Sequence, residues 1–196
     1  MKISEFKNQE YVGYFVEHDK DICPKVVGTP HNWKRKLKLV TDHPLAKTHL
    51  SICYMFVVNG EIKKIGQTSG KGGIFDCMSL YGGAGQDDPS ISRFGVISLV
   101  REEMKNGNTV EVYFQYEEQK TLTIKGAIGD ITVPVPISAK VIENNCVEHY
   151  KEVSGVFPEW CFQENGQSWP LWVVESFTDY NSKRTKFKRL QEEGKK

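Results

Sequence analysis

The stretch SICYMFVVNGEIKKIGQT, residues 51–68, constrains the fold of this chain more than any other. Two apolar-rich runs flank Asn59-Gly60. Both of these residues accept the left-handed backbone that tight strand reversals demand, so the pair is a strong local signal for a β-hairpin.

The segments that follow alternate helix and strand signals. In SGKGGIFDCMSLYGGAGQDD, glycines and turn residues surround one short helix, Ile74 to Tyr81. DDPSISRFGVISLVREEMKNG offers Asp88 as an acidic N-cap, Pro89 at the first helical position and Gly107 past the end, which reads as a longer helix. NTVEVYFQYEE alternates Val110, Val112 and Phe114 with Glu111, Tyr113 and Gln115, as expected of a half-buried strand. TLTIKGAIGDITVPVP reads as a further β-excursion. Ser138 caps a second long helix with apolar positions Val141, Ile142, Cys146, Tyr150 and Val153, ending at Gly155.

Residues 1–45 are punctuated by Pro24, Gly28, Pro30 and Pro44 and read as an irregular N-terminal extension; 46–166 form the core, and 167–196 run on as extended segments into a basic C-terminal extension. The whole is an α+β fold: a small mixed or antiparallel sheet that starts with the hairpin and is flanked by helices.

Composition excludes several classes. Hydrophobic residues make up 39% and charged residues 26%, and no apolar run approaches the roughly eighteen residues needed to span a bilayer. The opening residues MKISEFKNQE lack the apolar core of a signal peptide, so a cytoplasmic location is expected. Cys23, Cys53, Cys77, Cys146 and Cys161 form an odd set without a Cys-x-x-Cys pair, and no two histidines have the spacing of a helical metal pair. Buried thiols are expected, not a disulfide framework or a zinc site.

The net charge of +1 conceals two basic clusters, Lys34, Arg35, Lys36 and Lys38 in HNWKRKLKL and Lys183, Arg184, Lys186, Lys188 and Arg189 in NSKRTKFKRL. Interleaved with Trp33 and Phe187, they are candidates for holding phosphates, although each alone also fits a solvated face. With so little net charge, affinity for a nucleic acid has to come from such patches.

Two charges fall on helix faces that should be apolar. At about 100° per residue, Arg93 projects into the arc of Ile97, Val100 and Met104, and Glu143 lies beside the stripe of Ile142, Cys146, Tyr150 and Val153. Charges there are costly unless paired or reached by solvent. Either they satisfy one another or a loop, or they mark a site, and their complementary chemistry favours the site. A glutamate can hold a divalent cation and an arginine can neutralise a phosphodiester.

With the hairpin, these residues resemble the GIY-YIG nuclease family. Ile52-Cys53-Tyr54 matches the first triplet, with Tyr54 as the family's first tyrosine. Lys64-Ile65-Gly66 matches the second, with lysine in place of tyrosine as in restriction-enzyme branches. The segment SAKVIENNCVEHYKEVSGVFPEW is similar to the family's C-terminal helix, which implies Glu143 as the ligand of Mg²⁺ or Mn²⁺. The family's arginine usually follows the hairpin directly; GGIFDCMSLY holds none, and Arg93 on the next helix is the candidate. Asn165 comes later than the family's closing asparagine. The resemblance runs from about Ser51 to about Asn165.

It also implies that Tyr54 and Lys64 share a face. A two-residue turn would pair Tyr54 with Ile65 and send Lys64 to the other side. A three-residue loop, Val58-Asn59-Gly60, pairs Tyr54 directly with Lys64, with Cβ atoms about 5 Å apart, and is the loop expected. On this reading Tyr54, its pKa lowered by its cationic neighbours, deprotonates the attacking water. Lys64 assists, Arg93 binds the phosphate, and Glu143 holds the metal on the leaving side. His149 reads as an ordinary helix histidine that is also placed to relay protons, and Trp160, Trp169 and Trp172 as packing for the C-terminal segment.

The function so implied is a metal-dependent endonuclease acting on double-stranded DNA, site-specific in the manner of a type II restriction enzyme, with a homodimer matching a palindromic site. A structure-specific or phage-type nicking nuclease is the second reading. A catalytically silent nucleic-acid-binding module is the third.

Overall fold

The computed structural model describes residues 1–21, 35–82, 89–117, 120–135 and 137–193. Its centre is a five-stranded, wholly antiparallel sheet built from β1 (Glu10–Asp21), β2 (Arg35–Val40), β3 (Ser51–Val58), β4 (Glu61–Thr68) and β5 (Val110–Glu117). The strands lie in the order β2-β1-β5-β3-β4. The hairpin β3–β4 forms as the Asn59-Gly60 signal requires, both residues being left-handed with φ of 51° and 79°.

One face is covered by α1 (Gly73–Gly82) and α2 (Ile91–Lys105), the other by α3 (Ala139–Ser154). Alternation along β3 divides the core. Ile52, Tyr54, Phe56 and Val58 pack with Phe94 and Ile97 of α2, whereas Cys53, Met55 and Val57 pack with Ile142, Cys146 and Tyr150 of α3. Each large side chain buried in this way contributes about 1.5–3 kcal/mol, so the hairpin is anchored from both sides. Val153 falls outside that stripe and is exposed.

Residues 1–45, expected to be irregular, supply two strands of the sheet, which therefore does not start with the hairpin. The prolines that argued for irregularity stand outside the strands: Pro24 and Pro30 lie outside the described residues, and Pro44 lies in the turn after β2. The pairing of β1 with β5 shifts register between Tyr11 and Gly13, a bulge that breaks the period-two pattern.

The C-terminal segment is likewise not extended. It forms α4 (Leu171–Glu193), which packs on α2 through Val173, Phe177 and Tyr180, with the Phe94 ring 5.2 Å from Phe177 and 5.6 Å from Tyr180. Those three positions recur at helical spacing and bury one stripe. Among the described residues no helix is long and apolar enough to cross a membrane.

β6 (Lys120–Gly126) and β7 (Gly129–Val135) form a separate two-stranded ribbon between β5 and α3. Its side chains are almost all exposed, from Leu122 and Ile124 to Ile128 at the tip.

Helix ends follow local chemistry. Ser90, not Asp88, caps α2 by accepting the Arg93 backbone N–H at 3.3 Å; Asp88 lies outside the described residues. Gly155 closes α3 in the left-handed conformation, with φ of 75°.

Candidate active site

The turn at Asn59-Gly60 contains two residues, not the expected three. Val58 pairs with Glu61 and Val57 with Ile62. A regular ladder would then place Lys64 away from Tyr54, but the register shifts at Lys63, so that Phe56 pairs with Lys64 and Tyr54 with Gly66. This bulge returns Lys64 to the Tyr54 face as a diagonal neighbour, not a direct partner. β4 is an edge strand, and segments from both ends of the chain cover its outer edge. The Trp160 N–H donates to the Lys63 carbonyl at 2.8 Å, and the Ile62 N–H donates to the Met1 carbonyl at 3.1 Å. The Lys63 ammonium pairs with Glu159 at 2.7 Å and Glu61 at 3.3 Å, which anchors the bulge further.

Opposite Tyr54, glycine is required. A Cβ on Gly66 would meet Cζ and Oη of the phenol at 2.5 Å. The ring crosses β4 over this gap, and its hydroxyl lies 2.8 Å from that of Tyr81 at the end of α1. Tyr54 is only 4% exposed. Burial, then Tyr81 and Cys77, and last the charge of Glu143 hold its pKa well above the ordinary tyrosine value. Tyr81 is pushed up to about 12, chiefly by burial; its bond to Tyr54 and the Arg93 guanidinium oppose the rise. Tyr54 is therefore not the activated base expected from the sequence: in the isolated protein the hydroxyl pair is neutral at pH 7.

The expected residues lie around this pair. Arg93, half-buried in the first turn of α2, acts on Tyr81 and also on Cys77, whose thiol is raised by burial and lowered by Thr68, Tyr54 and Arg93. Lys64 directs its ammonium to the Cys161 sulfur at 3.5 Å, and Cys161 in turn faces the Ile65 carbonyl at 4.0 Å. Asn165 ties this loop together by donating its side-chain amide to the Pro158 carbonyl at 3.0 Å and its backbone N–H to the Cys161 carbonyl at 3.0 Å. Glu143 stands in the second turn of α3, its side chain 15% exposed and ion-paired with Lys140 at 2.5 Å. Across the sheet, the buried arginine of α2 is Arg101, 6% exposed, 3.9 Å from Glu17; the sequence pointed to Arg93 instead.

Glu143 is the carboxylate candidate for holding a cation. Among the described residues no group of three or more His, Cys, Asp or Glu is placed to hold a metal ion. One carboxylate suits Mg²⁺ or Mn²⁺, which take most of their ligands from water and substrate phosphate.

Of the candidate DNA-binding residues, Lys34 lies outside the described residues. Arg35 and Lys36 open β2, and Lys183, Arg184 and Lys186 lie in α4, with side chains outside the described set. β2 is the sheet edge opposite β4, and its Leu37 carbonyl abuts Gly82 beside Tyr81 at the end of α1. His149 is exposed and makes an edge contact with Phe6 at 5.3 Å. Trp160 is buried in the core, Trp169 stacks near Phe162 at 4.4 Å, and Trp172 is 42% exposed. Tyr81 was missed in the sequence; its only signal was an aromatic residue at the end of a short helix bordered by glycines.

No protein-family model matches the chain, and a search of curated proteins found no match. Among solved structures it is similar to the restriction endonuclease HPY188I in complex with product DNA, with 19% identity over 82% of this chain and 86% of that one and a TM-score of 0.46. It is also similar to a mutant of bacteriophage T4 EndoII, with 16% identity over 75% of this chain and 90% of that one and a TM-score of 0.40.

Proposed function

We propose that the chain is a divalent-metal-dependent endonuclease of the GIY-YIG type that hydrolyses phosphodiester bonds in double-stranded DNA at defined sites. The observation that carries this reading is the bulge at Lys63, which returns Lys64 to the face where Tyr54 reaches Tyr81 within the field of Arg93. A bulge that re-aims one side chain is a device found beside active sites.

Hydrolysis needs a proton acceptor for water, charge neutralisation at phosphorus and help for the leaving oxygen. Arg93 and Lys64 supply two cations on the Tyr54 face, and a phosphate between them is neutralised from both sides. Tyr81 first loses its proton to solvent, the phenolate being favoured by Arg93 beside it. That phenolate then takes the Tyr54 proton across their hydrogen bond as Tyr54 takes one from the attacking water, which leaves both phenols neutral and a hydroxide at phosphorus. Glu143 is the residue that would hold Mg²⁺ or Mn²⁺, which supplies Lewis-acid stabilisation at the leaving oxygen when bound. Two subunits on a palindrome would cut both strands.

The raised Tyr54 pKa and the lack of an arginine on α1 favour, as a second reading, a silent module that binds DNA without cutting it. Incubation of the protein with plasmid and genomic DNA, with Mg²⁺ and with chelator, separates the two. Discrete metal-dependent fragments that vanish in Glu143→Ala support the nuclease, a nicked product supports a nicking enzyme, and intact DNA on varied substrates overturns both of these and supports the silent module.

A further inference from the structure

Beside α3 is a cavity of about 270 Å³. Its walls come from the N-terminal segment and α3 and its floor from β5, and the residues that define its chemistry are Phe6, Lys7, Asn8, Gln115, Asn145 and His149. Among the described residues the side chains of Asn8 and Asn145 make no hydrogen bond. The Gln115 carbonyl oxygen accepts from the Cys146 thiol at 3.4 Å, which leaves its NH₂ group for a ligand. Three carboxamides, each presenting an acceptor or donors, thus converge on one small space. The Phe6 and His149 rings meet edge to face at 80°, giving it an apolar corner. Charge does not dominate: Lys7 is balanced by Glu5, which also lines the cavity and accepts the Lys2 backbone N–H at 2.6 Å.

We propose that this cavity binds a nucleobase. Carboxamides are the side chains that match the adjacent donor and acceptor of a base edge, and aromatic rings provide a surface for its π-face. The volume lies near the lower end of the range for small-ligand pockets, about 300–1,000 Å³, and suits one planar heterocycle. A phosphate or carboxylate site would show an excess of cations, which this cavity lacks. Asn145 and Glu143 are two residues apart, so the cavity and the candidate metal ligand share one helix, α3. In naming DNA as a source of the base the inference rests on the nuclease reading; recognition of the base itself does not.

The test uses the full chain without metal, observed by amide NMR. The probes are each deoxynucleoside monophosphate, ribose 5-phosphate, and duplexes with and without one unpaired base. At least one mononucleotide is expected to shift the side-chain amides of Asn8, Gln115 and Asn145 and to bind at least tenfold more weakly to Asn145→Ala/His149→Ala, whose changes are on exposed positions. Tighter binding of the unpaired-base duplex, lost in that variant, identifies an extrahelical base in a strand as the source. Mononucleotide binding without that preference identifies a free nucleotide. The absence of amide shifts at millimolar concentrations, or equal shifts from ribose 5-phosphate, overturns the proposal. Failure of the nuclease reading shows separately, as uncut DNA in the presence of Mg²⁺ while the amide shifts persist.

Discussion

The ring of Tyr54 lies over Gly66, its direct partner across the hairpin, with no room between them for a methyl group. Gly66→Ala is therefore expected to push the phenol off β4 and break its 2.8 Å bond to Tyr81. Overpacking of this kind costs about 1–3 kcal/mol, measurable by urea denaturation. Cleavage should fall with it. A variant of wild-type stability with the Tyr54 and Tyr81 resonances unmoved would show that the close approach is not a constraint.

Deletion of Lys63 tests the bulge. Without this residue the ladder runs regularly, and Phe56 still opposes Lys64 while Tyr54 still opposes Gly66. The deletion should keep Lys64 on its face and reduce cleavage less than tenfold, while the lost anchor to Trp160 and Glu159 lowers stability by about 1–2 kcal/mol. Lys64→Ala, by contrast, should reduce cleavage by about 10²-fold or more. Equal losses in the two would mean that the bulge serves something other than the placement of Lys64.

These two cases show how far the sequence could be read. Asn59-Gly60 determines a turn from two adjacent residues, and Val110, Val112 and Phe114 determine a strand from their own spacing; both were legible. The bulge was not, because it is held by Trp160 and Glu159, almost a hundred residues away. β1 was hidden by its shift between Tyr11 and Gly13. α4 was obscured by its charges, although Val173, Phe177 and Tyr180 do recur at helical spacing. In the site, residue types could be named but not their protonation. That Tyr54 is raised and not activated follows from a burial created by residues far apart in the chain, from Gly66 on β4 to Tyr81 on α1.

The neutral hydroxyl pair gives a pH signature in activity and in stability. A base that must lose a proton, with its pKa raised, works better as pH rises, so the cleavage rate should increase from about pH 7 to 10 without a plateau. Tyr54→Phe should remove that slope and about 10²–10⁴-fold of the rate. For folding, a raised tyrosine contributes stability that is fully present below its unfolded value near 10 and is lost as pH climbs through the folded value, about 12 for Tyr81. Denaturant titrations should show stability declining across that window in wild type and declining less steeply in Tyr81→Phe.

The ribbon of β6 and β7 is expected to be dispensable for folding. Its side chains from Lys120 to Thr132 are exposed, and none joins either core cluster. Replacing residues 120–135 with a short Gly-Ser linker should alter stability by less than about 1 kcal/mol, since exposed positions outside the core contribute little. A larger loss would reveal a packing role for the ribbon.

Gly95 faces the indole of Trp169 in the second turn of α2, where alanine would normally favour the helix by about 1 kcal/mol. Here a Cβ would lie 2.4–2.9 Å from three ring atoms of Trp169. The aromatic ring is wedged between α2 and Phe162, so it cannot retreat without opening the approach to α4. Packing should outweigh propensity, and Gly95→Ala should destabilise by about 1–3 kcal/mol. Combining it with Trp169→Leu separates the two effects. If the clash is the cause, the double variant is more stable than Trp169→Leu alone, because the propensity gain returns once the ring is gone. If Gly95→Ala destabilises both backgrounds equally, the cause lies in the helix itself and not in the indole.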